Sequence, residues 1–146
     1  MKTNTLGKEY KDGEVIVQQG DKGDQIFIVQ EGLVEVLREH DGVHYQIATL
    51  EEGEFFGEMA VFERIARAAT VRALGPARVL TIDRTDFLRR IKEDPGLAFH
   101  LVEVMSARIR QLDQQVAAFR NLLFEHGIPP DIGNARISHE AEKEIR

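Results

Sequence analysis

A mainly β domain, with strands wound into a jelly-roll-like, double-stranded β-helix barrel and followed by a long C-terminal helix, is the fold class the sequence predicts. Three observations predict it. Short β-branched runs alternate with glycine-bearing turns from Glu14 to Ile82, the pattern of barrels built from many short strands. Eight phenylalanines and two tyrosines without a tryptophan fit a compact barrel core. Beyond Asp94-Pro95, apolar residues change to a four-three spacing that runs to Leu123, the period of a helix.

In order, residues 1–13 are polar and close on the turn signal Tyr10-Lys11-Asp12-Gly13. Glu14–Gln19 reads as a strand ended by Gly20-Asp21-Lys22-Gly23-Asp24. That segment holds Gly-x-x-Gly and a lysine but lacks the spacing of a triphosphate-binding loop, so it reads as a turn. Gln25–Gln30 is a β-branched strand, and Glu31-Gly32 is expected to turn it into Leu33–Leu37. Asp41-Gly42 signals a hairpin to Val43–Leu50, and Glu51-Glu52-Gly53-Glu54 turns again. Val71–Leu74 is a strand, punctuated by Gly75-Pro76 before Ala77–Ile82. Asp83 stands where it can cap a helix whose first turn holds Asp86 and whose inner face is Phe87, Leu88 and Ile91. The expected organisation is a barrel over 1–93, a dimerisation helix over 94–126, and a tail over 127–146 in which 138–146 forms a short helix or nothing.

Asp94-Pro95 supplies a capping residue and a proline at the first helical position, and Gly127 with Pro129-Pro130 ends the run near His126. Between them Ala98, Val102, Met105, Ile109, Leu112, Val116, Phe119 and Leu123 keep a heptad seam. Val102, Ile109 and Val116 fall at a and Met105, Leu112 and Phe119 at d, and β-branched a residues favour a parallel pair. Residues 98–123 are therefore expected to form a homodimer, with Arg108 at g facing Asp113 at e of the second copy. Leu97, Leu101 and Val104 form a separate flank, expected to pack on the barrel. The competing reading, an entirely intramolecular stripe, is disfavoured because one small barrel cannot cover several heptads.

The chemistry concentrates between Phe55 and Thr70, in Phe55-Phe56-Gly57-Glu58-Met59-Ala60-Val61-Phe62-Glu63-Arg64-Ile65-Ala66-Arg67-Ala68-Ala69-Thr70. Gly57 allows close backbone approach to a ligand. The first N–H groups of a short helix from Glu58 have no intrahelical acceptor and suit an anion. Arg67 adds a planar cationic fork, and Ala68 and Ala69 leave room beside it. Glu58 is unfavourable next to an anion unless a ligand hydroxyl donates to it.

Phe-Gly-Glu-x-Ala, a gap, then Arg-Ala-Ala-Thr-Val, from Phe56 to Val71, resembles the phosphate-binding cassette of the cyclic-nucleotide-binding domain family. That family includes the regulatory subunits of cAMP-dependent protein kinase and the sensor half of the bacterial catabolite activator. The resemblance spans roughly residues 10–91. It implies that Glu58 accepts the ribose 2′-OH, Arg67 pairs with the cyclic phosphate, and N–H groups near Met59, Ala60 and Ala68 complete the cradle. It further implies that Val36, Ile47 and Ala48 line the purine pocket, although ordinary core positions explain each of these equally well. Leu112 and Asp113 align with the position that caps the base, a role that for Asp113 competes with the Arg108 pairing. cAMP is the implied ligand in preference to cGMP, since cGMP-selecting members commonly carry threonine where this chain has Ala68.

Several function classes are disfavoured. A net charge of −6 argues against nucleic-acid binding by these residues, and the stretch after the long helix is too short for a helix-turn-helix. There is no cysteine, and hence no thiol-ligated metal or cysteine nucleophile. His40 and His44 read as exposed hairpin residues rather than a metal pair, and Ser106 and Ser138 offer no nucleophile elbow. Met1–Thr5 lacks the apolar core of a secretory signal, and no apolar run reaches membrane-spanning length. The expectation is a cytoplasmic, non-enzymatic sensor that binds a cyclic nucleotide without a cofactor and signals through its last helix to a separate effector. The alternatives are a ligand-independent dimeric scaffold, or the sensory fragment of a transcription regulator or kinase regulatory subunit.

Overall fold

The computed structural model describes residues 6–128. The expectations for Met1–Thr5 and for the tail from Pro129 onward lie outside the described residues. The strands are β1 (Lys8–Tyr10), β2 (Val15–Val17), β3 (Gln25–His40), β4 (Val43–Leu50), β5 (Phe55–Phe56) and β6 (Thr70–Asp83); the helices are α1 (Glu58–Phe62), α2 (Arg84–Glu93) and α3 (Pro95–Glu125). The chain divides into two compact units, Met1–Asp94 and Pro95–Arg146. The architecture is the β domain with short helices and a long C-terminal helix that the sequence predicts.

Two long antiparallel strands organise the first unit. β3 and β6 pair along most of their length, from Gln25↔Asp83 to Leu37↔Thr70. β3 then takes β5 beside its first half and β4 beside its second. β6 takes β2 near its start and β1 just past its middle. Each long strand therefore serves two neighbours in turn, which is how the sheet winds into a jelly roll.

This corrects the sequence reading in two places. Glu31-Gly32 does not reverse the chain, and Gly75-Pro76 does not divide two strands; β3 and β6 run through both. The glycines instead sit at irregularities, where the β3/β6 register jumps between Val29 and Glu31 and again between Glu31 and Leu33. Gly32 has φ 80°, and a Cβ there would lie 2.2 Å from the Pro76 carbonyl oxygen. Only glycine permits that crossing. β1 is also an addition, since Lys8–Tyr10 looked too polar for a strand yet pairs with Ala77–Val79. The Asp41-Gly42 hairpin forms as expected, with φ of 51° and 75° at its two central residues, the left-handed pair of a type I′ turn.

The core lies on one face of the long strands. Phe27, Val29, Val34, Leu50, Phe56, Val71, Ala73 and Val79 form one buried cluster, with Val36 and Tyr10 packed at its margin. Fully burying a side chain of this kind contributes about 1.5–3 kcal/mol. The alternate positions of the strands carry Ile26↔Ile82 and Ile28↔Leu80, and α1 and α2 pack against these two strands. Phe87 of α2 is buried, edge-on to Phe62 at 5.8 Å. Arg84 Nε donates to the Val61 carbonyl at 3.2 Å, tying the two helices. Asp83 occupies the N-cap position of α2 but makes no side-chain cap bond; its carboxylate accepts from the Gln25 amide at 3.1 Å instead.

α3 runs from Pro95 to Glu125 and stops, as expected, just before Gly127, φ 75°. The N–H of Gly127 reaches the Phe124 carbonyl at 3.0 Å, and that of Ile128 reaches the Leu123 carbonyl at 2.9 Å, a Schellman closure. No residue of α3 is buried, and Val102, Ile109, Leu112, Val116 and Phe119 of the seam are all exposed. No helix among the described residues is long and apolar enough to cross a membrane.

Candidate ligand-binding site

The site is built where β5 hands over to α1 and where the chain returns into β6. Gly57 is the N-cap of α1 with φ 85° and ψ 2°. That left-handed step turns the chain sharply out of β5, so the opening N–H groups of α1 are presented without a carbonyl one turn back. Glu58, Met59 and Ala60 follow in α1; Met59 is exposed and Ala60 buried.

Arg67 arrives from the loop after α1 and is only 8% exposed. Its Nη1 donates to the Gly57 carbonyl at 3.1 Å, so the two ends of the cassette meet. Burial in the protein pushes the Arg67 pKa below its ordinary value, and the nearby carboxylates of Asp24 and then Glu58 oppose that shift. An arginine remains cationic at neutral pH under such a shift, so the pocket holds a desolvated positive charge. Ala68 and Ala69, half-buried, lead into Thr70. Thr70 is buried, and its Oγ1 accepts from the Gln19 backbone N–H at 2.9 Å.

The turn at residues 20–24 matters more than the sequence indicated. The Gly20 N–H donates to the Arg67 carbonyl at 2.9 Å, and the Arg67 N–H donates to the Asp21 carbonyl at 2.8 Å. This reciprocal pair holds the Arg67 backbone as a ladder would. Gly23 passes so close that a Cβ on it would lie 2.7 Å from Arg67 Nη2. The only sequence signal for this was the pair of glycines, which fits a plain turn equally well. Phe27, a core residue of β3, also reaches Arg67, with its ring centroid 5.5 Å from Cζ.

The remaining sequence candidates divide. Phe56 is buried and stacks on Phe27 at 5.0 Å, so it supports the site from the core. Val36 is the register partner of both Ala48 and Val71, which places the three on one face. Ile47 falls at the bulge where the β3/β4 register shifts, outside that alternation. Ile47 and Ala48 are exposed, so neither is ordinary core. Leu112 and Asp113 belong to α3 in the second unit, and both are exposed. His40 lies 3.4 Å from the neighbouring Asp41 carboxylate, and no group of three or more metal-ligating side chains occurs among the described residues.

A buried guanidinium, a glycine-opened helix start and an adjacent carboxylate suit a small molecule with both an anionic group and a hydroxyl. The profile of the cyclic nucleotide-binding domain matches residues 7–94, and the chain belongs to that family. A cAMP-dependent protein kinase regulatory subunit from Mucor circinelloides f. lusitanicus is 42% identical over 80 residues, covering 55% of this chain and 19% of that protein. A cyclic AMP receptor protein from Thermus thermophilus is 32% identical over 108 residues, covering 73% of this chain and 50% of that one. The crystal structure of the Thermus thermophilus catabolite activator protein superposes with a TM-score of 0.69 at 29% identity, over 84% of this chain and 64% of that chain. The chain thus spans half or less of the length of these two relatives.

Proposed function

We propose that this protein is a cAMP receptor that binds its ligand without chemistry and passes the occupancy of the site to a partner through α3. The observation that carries the reading is the Gly57–Arg67 closure, with Arg67 buried and Nη1 already on the Gly57 carbonyl. In this reading Arg67 takes the cyclic phosphate together with N–H groups of Met59, Ala60 and Ala68. Glu58 accepts the ribose 2′-OH, Val36, Ile47 and Ala48 receive the purine, and Leu112 and Asp113 cap it. Ala68 beside Arg67 and the cAMP named in both relatives support cAMP over cGMP. A second messenger made inside cells fits a cytoplasmic sensor. Calorimetric titration tests the ligand: saturable cAMP binding at 1:1 per chain supports the reading, and its absence ends it. Mass spectrometry of small molecules released from the purified protein tests it without presuming the ligand.

Signalling follows if cAMP binds one arrangement of α3 better than another. The exposed seam of Val102, Ile109, Leu112, Val116 and Phe119 supports a parallel homodimer over residues 98–123. Hydrogen exchange across residues 95–126 is expected to change when cAMP is added; identical exchange removes this route. Because the chain spans only part of its relatives, a second reading makes it the sensory part of a longer regulator or kinase subunit. A ligand-independent dimeric scaffold is the weaker alternative, since it leaves the buried Arg67 without a purpose. A gel shift at physiological salt checks the expectation that these residues do not bind DNA.

A further inference from the structure

We propose that Phe27 is a positioning residue for the ligand site: its ring, backed by Phe56, sets the plane of the Arg67 guanidinium so that its remaining donors face the incoming phosphate. This rests on the cyclic-nucleotide reading above and extends it to a residue outside the cassette at 56–71. Arg67 Cζ stands 5.5 Å from the Phe27 ring centroid, within cation–π range. The ring cannot drift, because Phe27 and Phe56 are opposite each other in the β3/β5 ladder and stack 5.0 Å apart at 10°. Two glycines form the edges of the slot. A Cβ on Gly23 would lie 2.7 Å from Nη2, and one on Gly57 would lie 2.8 Å from Nη1. The guanidinium is thus a flat plate with an aromatic floor and two bare backbone edges.

The floor does something that a carboxylate does not. A carboxylate stabilises the buried cation by accepting its N–H groups, and so competes with the ligand for them. A π face stabilises the cation through its quadrupole and consumes no donor. An aliphatic floor would fill the same space without compensating the charge. Phe27 therefore keeps Arg67 desolvated, oriented and still able to donate.

Phe27→Leu removes the π face while keeping an apolar side chain, and Phe27→Tyr restores the face. Titrated with cAMP, Phe27→Leu is expected to bind about 3- to 30-fold more weakly, the span from an exposed to a desolvated cation–π contact, with Phe27→Tyr recovering most of the loss. In an Arg67→Gln background, which has no cation for the ring to stabilise, the same Phe27→Leu change is expected to cost little more. Without ligand, the Arg67 Nε–H resonance is expected upfield, under the ring current. It should move downfield in Phe27→Leu and stay in place in Phe27→Tyr. Gly23→Ala reaches the same guanidinium from an exposed turn, pushes Nη2 off the floor and leaves the core untouched, so it serves if Phe27→Leu fails to fold. A resonance unmoved in Phe27→Leu, or in Gly23→Ala if that variant must stand in, overturns the assignment. So does an equal loss of affinity from Phe27→Leu when Arg67 is already glutamine. Failure of the unsubstituted protein to bind cAMP would sink the cyclic-nucleotide reading instead, while the ligand-free resonance still decides whether Phe27 holds Arg67.

Discussion

The barrel and the long helix treat apolar side chains in opposite ways. Val34 and Val79, at the crossing of β3 and β6, are 0% exposed, covered by strands of their own unit. In α3, Val102, Ile109, Leu112, Val116 and Phe119 stay between 50% and 65% exposed, at a spacing as regular as any strand alternation. The barrel buries its apolar residues within its own compact unit. The helix carries a stripe that gains its free energy only against another surface. In the proposed reading, recognition needs a rigid cradle and response an uncommitted face.

The largest expected effect tests the rigid half. Arg67→Ala should weaken cAMP binding by about 2–5 kcal/mol, because a phosphate left in the cradle loses its main charged partner. Calorimetry measures the loss, and an unchanged dissociation constant would remove Arg67 from the site. Next comes Gly32→Ala, which should lower barrel stability by about 2–4 kcal/mol through its left-handed φ and the clash with the Pro76 carbonyl. Denaturant unfolding reads it. A neutral result would mean that the β3/β6 crossing can relax, and that the barrel is less rigid than the comparison requires.

The same contrast explains what the sequence disclosed. Hairpin and helix ends were legible because Asp41-Gly42, Asp94-Pro95 and Gly127 act locally, within a few residues of themselves. The cassette was legible because its residue types follow one another at fixed spacing. What escaped depended on distant partners. β1 has little apolar pattern and exists because β6 offers an edge at Ala77–Val79. Gly32 looked like a turn because nothing in its own neighbourhood records that Pro76 crosses over it. Asp83 looked like a cap because Gln25, which takes its carboxylate, is far away in the chain. Phe27 and the 20–24 turn escaped for the same reason: their relation to Arg67 is made by folding.

In the uncommitted half, Ile109→Ala is expected to cost the proposed dimer about 1.5–3 kcal/mol per chain, the worth of burying one such side chain. Sedimentation equilibrium would show a concentration-dependent shift toward monomer, while cAMP affinity of the barrel and its unfolding midpoint stay close to those of the unsubstituted protein. If instead Ile109→Ala unfolds the barrel without changing the mass, the stripe is covered within one chain and the two regions are not separate in the way argued.

Asp113 gives the smallest and most discriminating effect. As an e-position partner of Arg108 across a parallel pair, it makes an exposed ion pair worth about 0.2–1 kcal/mol. As an acceptor for the adenine amino group, it contributes to ligand affinity. Asp113→Ala separates the two roles. Loss of dimer strength that disappears in high salt, where exposed charges are screened, assigns Asp113 to the helix pair. Loss of cAMP affinity with dimer strength unchanged assigns it to the ligand, and then α3 is part of the recognition half rather than only of the response. The ionic strength at which the loss disappears matters as much as its size, because a hydrogen bond to a buried purine is shielded from salt whereas a surface pair is not.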